Sequence, residues 1–266
     1  MITEKPAVYP EIFSMPSQHL KRDVETVVYA TPHGQHERPA LLVMNDGQDL
    51  QKMGVKKALD ELFYRGQIGP VIIAGVKCGP ERIQEYGVAG IPDAKKRGVK
   101  AAQYTQFILT ELLPALHEQL SVGNFHVHAI GGFSLGGLTA FDIAWNHPEL
   151  FTKAGIFSGS FWWRSREPCP QYTDADRITH RMVRETQGKP GAKFWFQTGT
   201  KDETADRNGN GIIDSIDDTT DLMAELRNKG FDMLNDVAYY EMIGGRHDTE
   251  TWAQAFPAFL VWAFGK

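Results

Sequence analysis

The chain has 266 residues, 42% hydrophobic and 23% charged, an ordinary globular composition. Its net charge of −5, from 28 basic against 33 acidic residues, argues against the basic surface that a nucleic-acid partner requires. With Cys78 and Cys169 as its only cysteines it has no disulfide framework, and both read as reduced, partly buried thiols.

No apolar run reaches the roughly 18 residues of a membrane span, so no membrane partner is expected. Residues 1–10 are polar and proline-containing, unlike a signal peptide. A cytoplasmic enzyme is the expectation, with a secreted mature chain left open; the oligomeric state is not legible.

Apolar runs then alternate with helical periodicity. A strand is predicted over 24–30 and a short, fully apolar one over 40–44. A helix follows over 56–64, then a strand over 71–76. The spacing predicts a long helix over 99–120, kinked at Pro114. Next come a strand over 125–130, a helix over 138–145 ending before Pro148, and strands over 154–157 and 193–198. A helix over 219–229 is stopped by Gly230. A strand over 237–242 precedes a final helix over 249–264, interrupted by Pro257. Strands alternating with helices imply an α/β class: a mostly parallel central sheet with helices on both faces, as one domain over 1–266. The stretches 77–99, 158–175 and 199–218 are long and polar or glycine-rich, and such loops usually carry function.

Gly132, Ser134 and Gly136 form G-x-S-x-G between an apolar strand and a helix. In that context the motif is a nucleophile elbow. Ser134 sits on a strained strand-to-helix turn, and residues two before and two after it must be small to avoid collision. The helix N-terminus then offers the Leu135 N–H to a developing oxyanion.

A serine nucleophile needs a base, and in this type of hydrolase the acid and then the histidine follow it along the chain. The histidines after Ser134 are His147, His180 and His247. His147 ends a helix and His180 lies in an arginine-rich stretch that reads as a solvated face. His247 follows the 237–242 strand on a glycine-containing loop and is the expected base. Asp202, just after the 193–198 strand, is the best candidate to orient it, with Glu203 as competitor. Carboxylic-ester hydrolysis through an acyl-enzyme on Ser134 is therefore expected. Acyl transfer and a calcium-dependent binding role on a hydrolase scaffold stay open. A small-molecule ester is the expected partner, and catalysis needs no cofactor.

A second motif lies in the insertion at about 203–218. From Asp206 to Asp217 the residues match an EF-hand-like loop, with oxygen side chains at Asp206, Asn208, Asn210, Asp214 and Asp217, a carbonyl at Ile212 and the turn glycine at Gly211. Asp217 stands where glutamate is usual. The expectation is a structural Ca²⁺ that stiffens the loop beside Asp202, against a glycine-rich turn held by its own hydrogen bonds.

Taken together, Asn45-Asp46-Gly47-Gln48-Asp49, Arg82-Ile83-Gln84-Glu85-Tyr86, the elbow, Ser158-Gly159-Ser160, and Gly245-Arg246-His247-Asp248 with Trp252 resemble the putative-esterase family of α/β-hydrolases. That family includes esterase D, enterochelin esterases, feruloyl esterases and mycolyltransferases. The resemblance implies an α/β-hydrolase fold and a second oxyanion donor at the Gln48 N–H. It implies that Arg82, Glu85 and Tyr86 order a loop near the substrate pocket, against a surface ion pair. Trp162 and Trp163 are candidates for the pocket wall or for a packed lid.

Overall fold

The computed structural model describes residues 10–34 and 37–266. Eight strands form one sheet: β1 (Pro10–Ser17), β2 (Arg22–Ala30), β3 (Ala40–Asn45), β4 (Val71–Val76), β5 (His128–Phe133), β6 (Lys153–Phe157), β7 (Lys193–Lys201) and β8 (Val237–Arg246). Their order is β1-β2-β4-β3-β5-β6-β7-β8. β1 and β2 run antiparallel to each other and β2 runs antiparallel to β4. From β4 across to β8 every pairing is parallel. This is the α/β-hydrolase fold. β3 and β4 are buried along their whole length, as strands covered on both faces must be.

The helices are α1 (Val55–Tyr64), α2 (Arg82–Glu85), α3 (Ala101–Phe107), α4 (Leu113–Gln119), α5 (Leu135–Asn146), α6 (Ile178–Glu185), α7 (Asp214–Asn228) and α8 (Thr249–Phe264). Val55, Leu59 and Leu62 of α1 share one apolar core with Phe256, Phe259 and Leu260 of α8. Tyr104, Phe107, Leu138, Phe141, Leu222 and Leu226 belong to the core on the opposite face.

Several predicted elements shift. No element is predicted before residue 24, yet 10–17 forms β1, an exposed edge strand. The strand predicted over 125–130 runs from His128 into the elbow, because Phe125 packs against His117 with ring centroids 4.9 Å apart. The long helix over 99–120 breaks at a wide π-type turn over Ile108–Leu112, which absorbs the missing N–H of Pro114. Pro257 does not interrupt α8. Cys78 is half-buried and Cys169 exposed, both as free thiols. Among the described residues no helix is long and apolar enough to cross a membrane.

Candidate active site

The elbow joins β5 to α5. Ser134 adopts φ 54, ψ −121, a strained conformation for a residue with a side chain. A Cβ on Gly132 would lie 2.4 Å from the Gly136 carbonyl oxygen. One on Gly136 would lie 2.8 Å from Asp46 Oδ2 and 3.0 Å from Asn45 Cβ. The small residues are therefore needed because helix, turn and the neighbouring β3 loop meet here. The Ser134 N–H donates to the Phe157 carbonyl at 2.9 Å, which pins the elbow to β6.

The loop after β3 faces the elbow. Asp46 sits in the left-handed region at φ 59, and its buried carboxylate takes two hydrogen bonds from Arg82, Nε at 2.6 Å and Nη2 at 2.8 Å. The Asp46 N–H donates to Tyr86 Oη at 3.1 Å. Asn45 Nδ2 donates to the Gly136 carbonyl at 2.7 Å, and Tyr104 Oη donates to Asn45 Oδ1 at 2.7 Å. The loop that carries Gln48 is thus bolted to the elbow that carries Leu135. Among the described residues neither the Gln48 nor the Leu135 N–H donates to another protein group, so both remain free for an oxyanion.

Arg82, Glu85 and Tyr86 separate by burial. Arg82 is partly exposed and stacks 5.0 Å over the Tyr86 ring, and its pKa is raised by its bonds to Asp46 against the pull of burial. Glu85 is fully buried and accepts from Arg22 Nε at 2.9 Å and Nη2 at 2.7 Å. Tyr86 is fully buried as well. The element is not a surface ion pair: it ties the loop after β3 to the core, and of the three only Arg82 keeps a partly exposed side chain. Trp163 is likewise not a wall: it is fully buried against Gly87 and Gly98 and donates from Nε1 to the Ile91 carbonyl at 3.1 Å. Trp162 is the half-buried member of the pair and lines the site.

His247 lies at the end of β8 and is exposed to solvent. Asp248 caps α8 by accepting from the Thr251 N–H at 2.8 Å, which fixes where His247 leaves the strand. The walls around the ring desolvate the imidazolium and lower its pKa, while Asp202 pulls it up, Arg82 pushes it down and Asp248 pulls it up. Asp202 is half-buried. Burial raises its pKa, and the Gly199 N–H, the Ser158 hydroxyl and His247 hold it down. Gly199 N donates to Asp202 Oδ2 at 3.0 Å, whereas Oδ1 is buried without a hydrogen bond. Glu203 is raised by burial first and then by Asp214. Asp202 and His247 line a cavity of about 220 Å³ together with Ser158, Trp162, Glu203 and Ser215. A larger hollow of about 360 Å³ lies along Met242–Arg246 and contains neither Ser134, Asp202 nor His247.

His180, expected on a solvated face, is instead fully buried, and its Nε2 bonds the Asp218 carbonyl at 2.8 Å. His147 lies beside Glu149 at 3.4 Å. Neither approaches Asp202. Two hydroxyls beside the triad candidates were not singled out by the sequence reasoning. Ser160 Oγ shares a hydrogen bond with Ser134 Oγ at 3.3 Å, and Ser158 Oγ accepts from Trp252 Nε1 at 2.9 Å. Their only sequence signal is the Ser158-Gly159-Ser160 triplet.

The segment over 206–217 is not one open loop: residues 206–213 form a tight turn ahead of α7, and Asp214 and Asp217 lie in that helix's first turn. Asp206 accepts from the N–H groups of Gly209 at 2.8 Å, Asn210 at 3.2 Å and Gly211 at 2.9 Å. Asn208 and Asn210 each donate from Nδ2 to Asp217 Oδ2 at 2.9 Å, and their Oδ1 atoms accept from the N–H groups of Asn210 and Ile212. Asp214 turns away to Arg207. Among the described residues no three His, Cys, Asp or Glu side chains gather as a metal site.

A family model described as putative esterase matches residues 17–263. An enterobactin esterase from Shigella flexneri, solved with enterobactin, is similar with a TM-score of 0.75 and 19% identity over 96% of this chain. The chain spans 58% of that protein's length. A ferulic acid esterase is similar at a TM-score of 0.70 and 17% identity, covering 97% of this chain and 98% of that one. A siderophore hydrolase from Aspergillus nidulans is similar at 0.69 and 17%, covering 96% and 97%. These likenesses establish the fold. A comparison with curated protein sequences finds no match.

Proposed function

The chain belongs to the putative-esterase family, and we propose that it is a serine carboxylic-ester hydrolase. Ser134 Oγ attacks the ester carbonyl. His247 takes the serine proton and returns it to the leaving alcohol, and Asp202 accepts the His247 Nδ1–H and steadies the imidazolium. The Gln48 and Leu135 N–H groups hold the oxyanion. A water, activated by the same histidine, then releases the acid from Ser134. In the resting site Ser134 Oγ is shared with Ser160; substrate binding is expected to turn it toward His247. Arg82 and Trp162 flank the cleft as substrate contacts.

The observation that carries the reading is the strained, glycine-flanked Ser134 with two unclaimed N–H groups beside it. A fluorophosphonate probe should label the wild type and not Ser134→Ala. Hydrolysis of an aryl acetate should fall roughly 10⁴-fold or more in that variant. An unlabelled wild type would sink the reading, and transfer to an added alcohol in preference to water would replace hydrolysis with acyl transfer.

We further propose that the 206–217 loop holds Ca²⁺ as a structural ion. Hard oxygens at Asp206, Asn208, Asn210, the Ile212 carbonyl and Asp217 suit it, and the side chains of Asn208 and Asn210 converge on Asp217. The fit requires both amides to rotate half a turn, presenting oxygen where nitrogen now points. Added Ca²⁺ should raise the Tm and a chelator lower it. A Tm indifferent to both would leave the loop as a turn held by its own hydrogen bonds.

A further inference from the structure

Ser158 follows β6 with its backbone at φ 46, a left-handed conformation that glycine adopts without strain. Its side chain is fully engaged. The residue is 2% exposed, and Oγ accepts from Trp252 Nε1 at 2.9 Å, which leaves the hydroxyl proton to donate elsewhere. Asp202 Oδ1 is buried without a hydrogen bond, and Ser158, Asp202 and His247 line the same cavity. The Ser158 N–H donates to the Gln197 carbonyl at 2.7 Å, so its backbone is tied to the strand whose end carries Asp202.

Trp252 reaches the other two arms. Its indole stacks on Phe133, the residue before Ser134, with centroids 4.9 Å apart and planes at 15°. It also meets the His247 ring edge-on at 5.2 Å. A single buried indole therefore contacts the nucleophile's neighbour, the base, and the hydroxyl beside the acid.

We propose that Ser158 is a positioning residue that links Trp252 to Asp202 and fixes the carboxylate so that Oδ1 faces His247. The inference rests on the assignment of Asp202 and His247 above. An Oδ1 oxygen has two lone pairs; the Ser158 O–H takes one and the His247 Nδ1–H the other. Without the hydroxyl, Asp202 keeps only the Gly199 N–H on Oδ2, and the carboxylate pivots about that bond.

Ser158→Gly tests this, because glycine relieves the backbone and removes only the hydroxymethyl group. The variant should be at least as stable as wild type. Its kcat should fall about tenfold to a hundredfold, with KM changed by less than about twofold. In an Asp202→Asn background the same substitution should have no further effect. Trp252→Phe keeps a ring on Phe133 and removes the indole N–H. It should lower kcat in wild type but not in Ser158→Gly, and it carries the test if that variant fails to fold. Wild-type kcat in Ser158→Gly, or an equal loss in both backgrounds, overturns the bridge. Wild-type activity in Asp202→Asn overturns the acid assignment itself, a result distinguishable from both.

Discussion

In the proposed mechanism Ser134 and His247 face different demands at the residue scale. Ser134 needs a backbone that lifts Oγ off the sheet, and its own chain supplies that. His247 must be neutral to accept a proton, and its surroundings supply that by disfavouring the imidazolium more than Asp202 favours it. A lowered pKa keeps the base deprotonated to lower pH, so the acid limb of kcat/KM should lie below the 6.5 of an ordinary imidazole. Removing the Arg82 charge, as in Arg82→Gln, should move that limb upward, because Arg82 is one of the groups pushing the pKa down. A pH–rate profile of both proteins checks it, and an unmoved limb would count against Arg82 acting on His247. Ser134 and His247 are the candidates that the sequence offers, because a motif and its chain order name them. Ser158 and Ser160 are not, since their roles depend on β6 lying between β5 and β7, which no local pattern encodes.

Among elements, the elbow is the tightest junction. Gly132→Ala places a methyl carbon 2.4 Å from the Gly136 oxygen, a contact between backbones that no rotamer relieves. A loss of about 1–3 kcal/mol is expected, together with displacement of Ser134. Gly123→Ala is the control, since a Cβ there meets nothing within 4 Å. Urea unfolding of the two variants checks the contrast, and equal stabilities would contradict the packing argument. β3 and β4 were legible at this scale because strands buried on both faces are continuously apolar. β1 was not: five of its eight residues are exposed, Pro10 and Pro16 among them, and it is held by pairing with β2 instead of by an apolar face. α2 and α6 are too short for periodicity to register, although α6 buries His180 in place of an apolar residue.

For the whole molecule, stability should depend on pH through Asp142, a buried carboxyl on α5 outside the proposed chemistry. Burial pushes its pKa up to about 7, against the bonds it accepts from the Ala89 N–H and Asn146 Nδ2. A raised pKa means that the folded protein holds a proton that the unfolded chain releases near 3.8. The stabilisation is therefore complete below 3.8 and is lost as pH rises to about 7, at up to about 1.4 kcal/mol per pH unit. Asp142→Asn should flatten that decline, and unfolding free energies of both proteins at pH 5 and pH 8 measure it. Parallel pH curves would show that Asp142 is ionised throughout.

The groups that make up the site stand at the ends of strands spread from Gln48 to His247, and α8, which follows His247, completes the wall through Trp252. During synthesis Ser134 emerges more than a hundred residues before His247, its proposed base, and the indole of Trp252 beside it. A nascent chain that has reached only the elbow would carry no proton acceptor, so activity should switch on only as α8 docks. Appearance of activity during refolding is thus a clock for the last step of folding, not for the first collapse of the sheet.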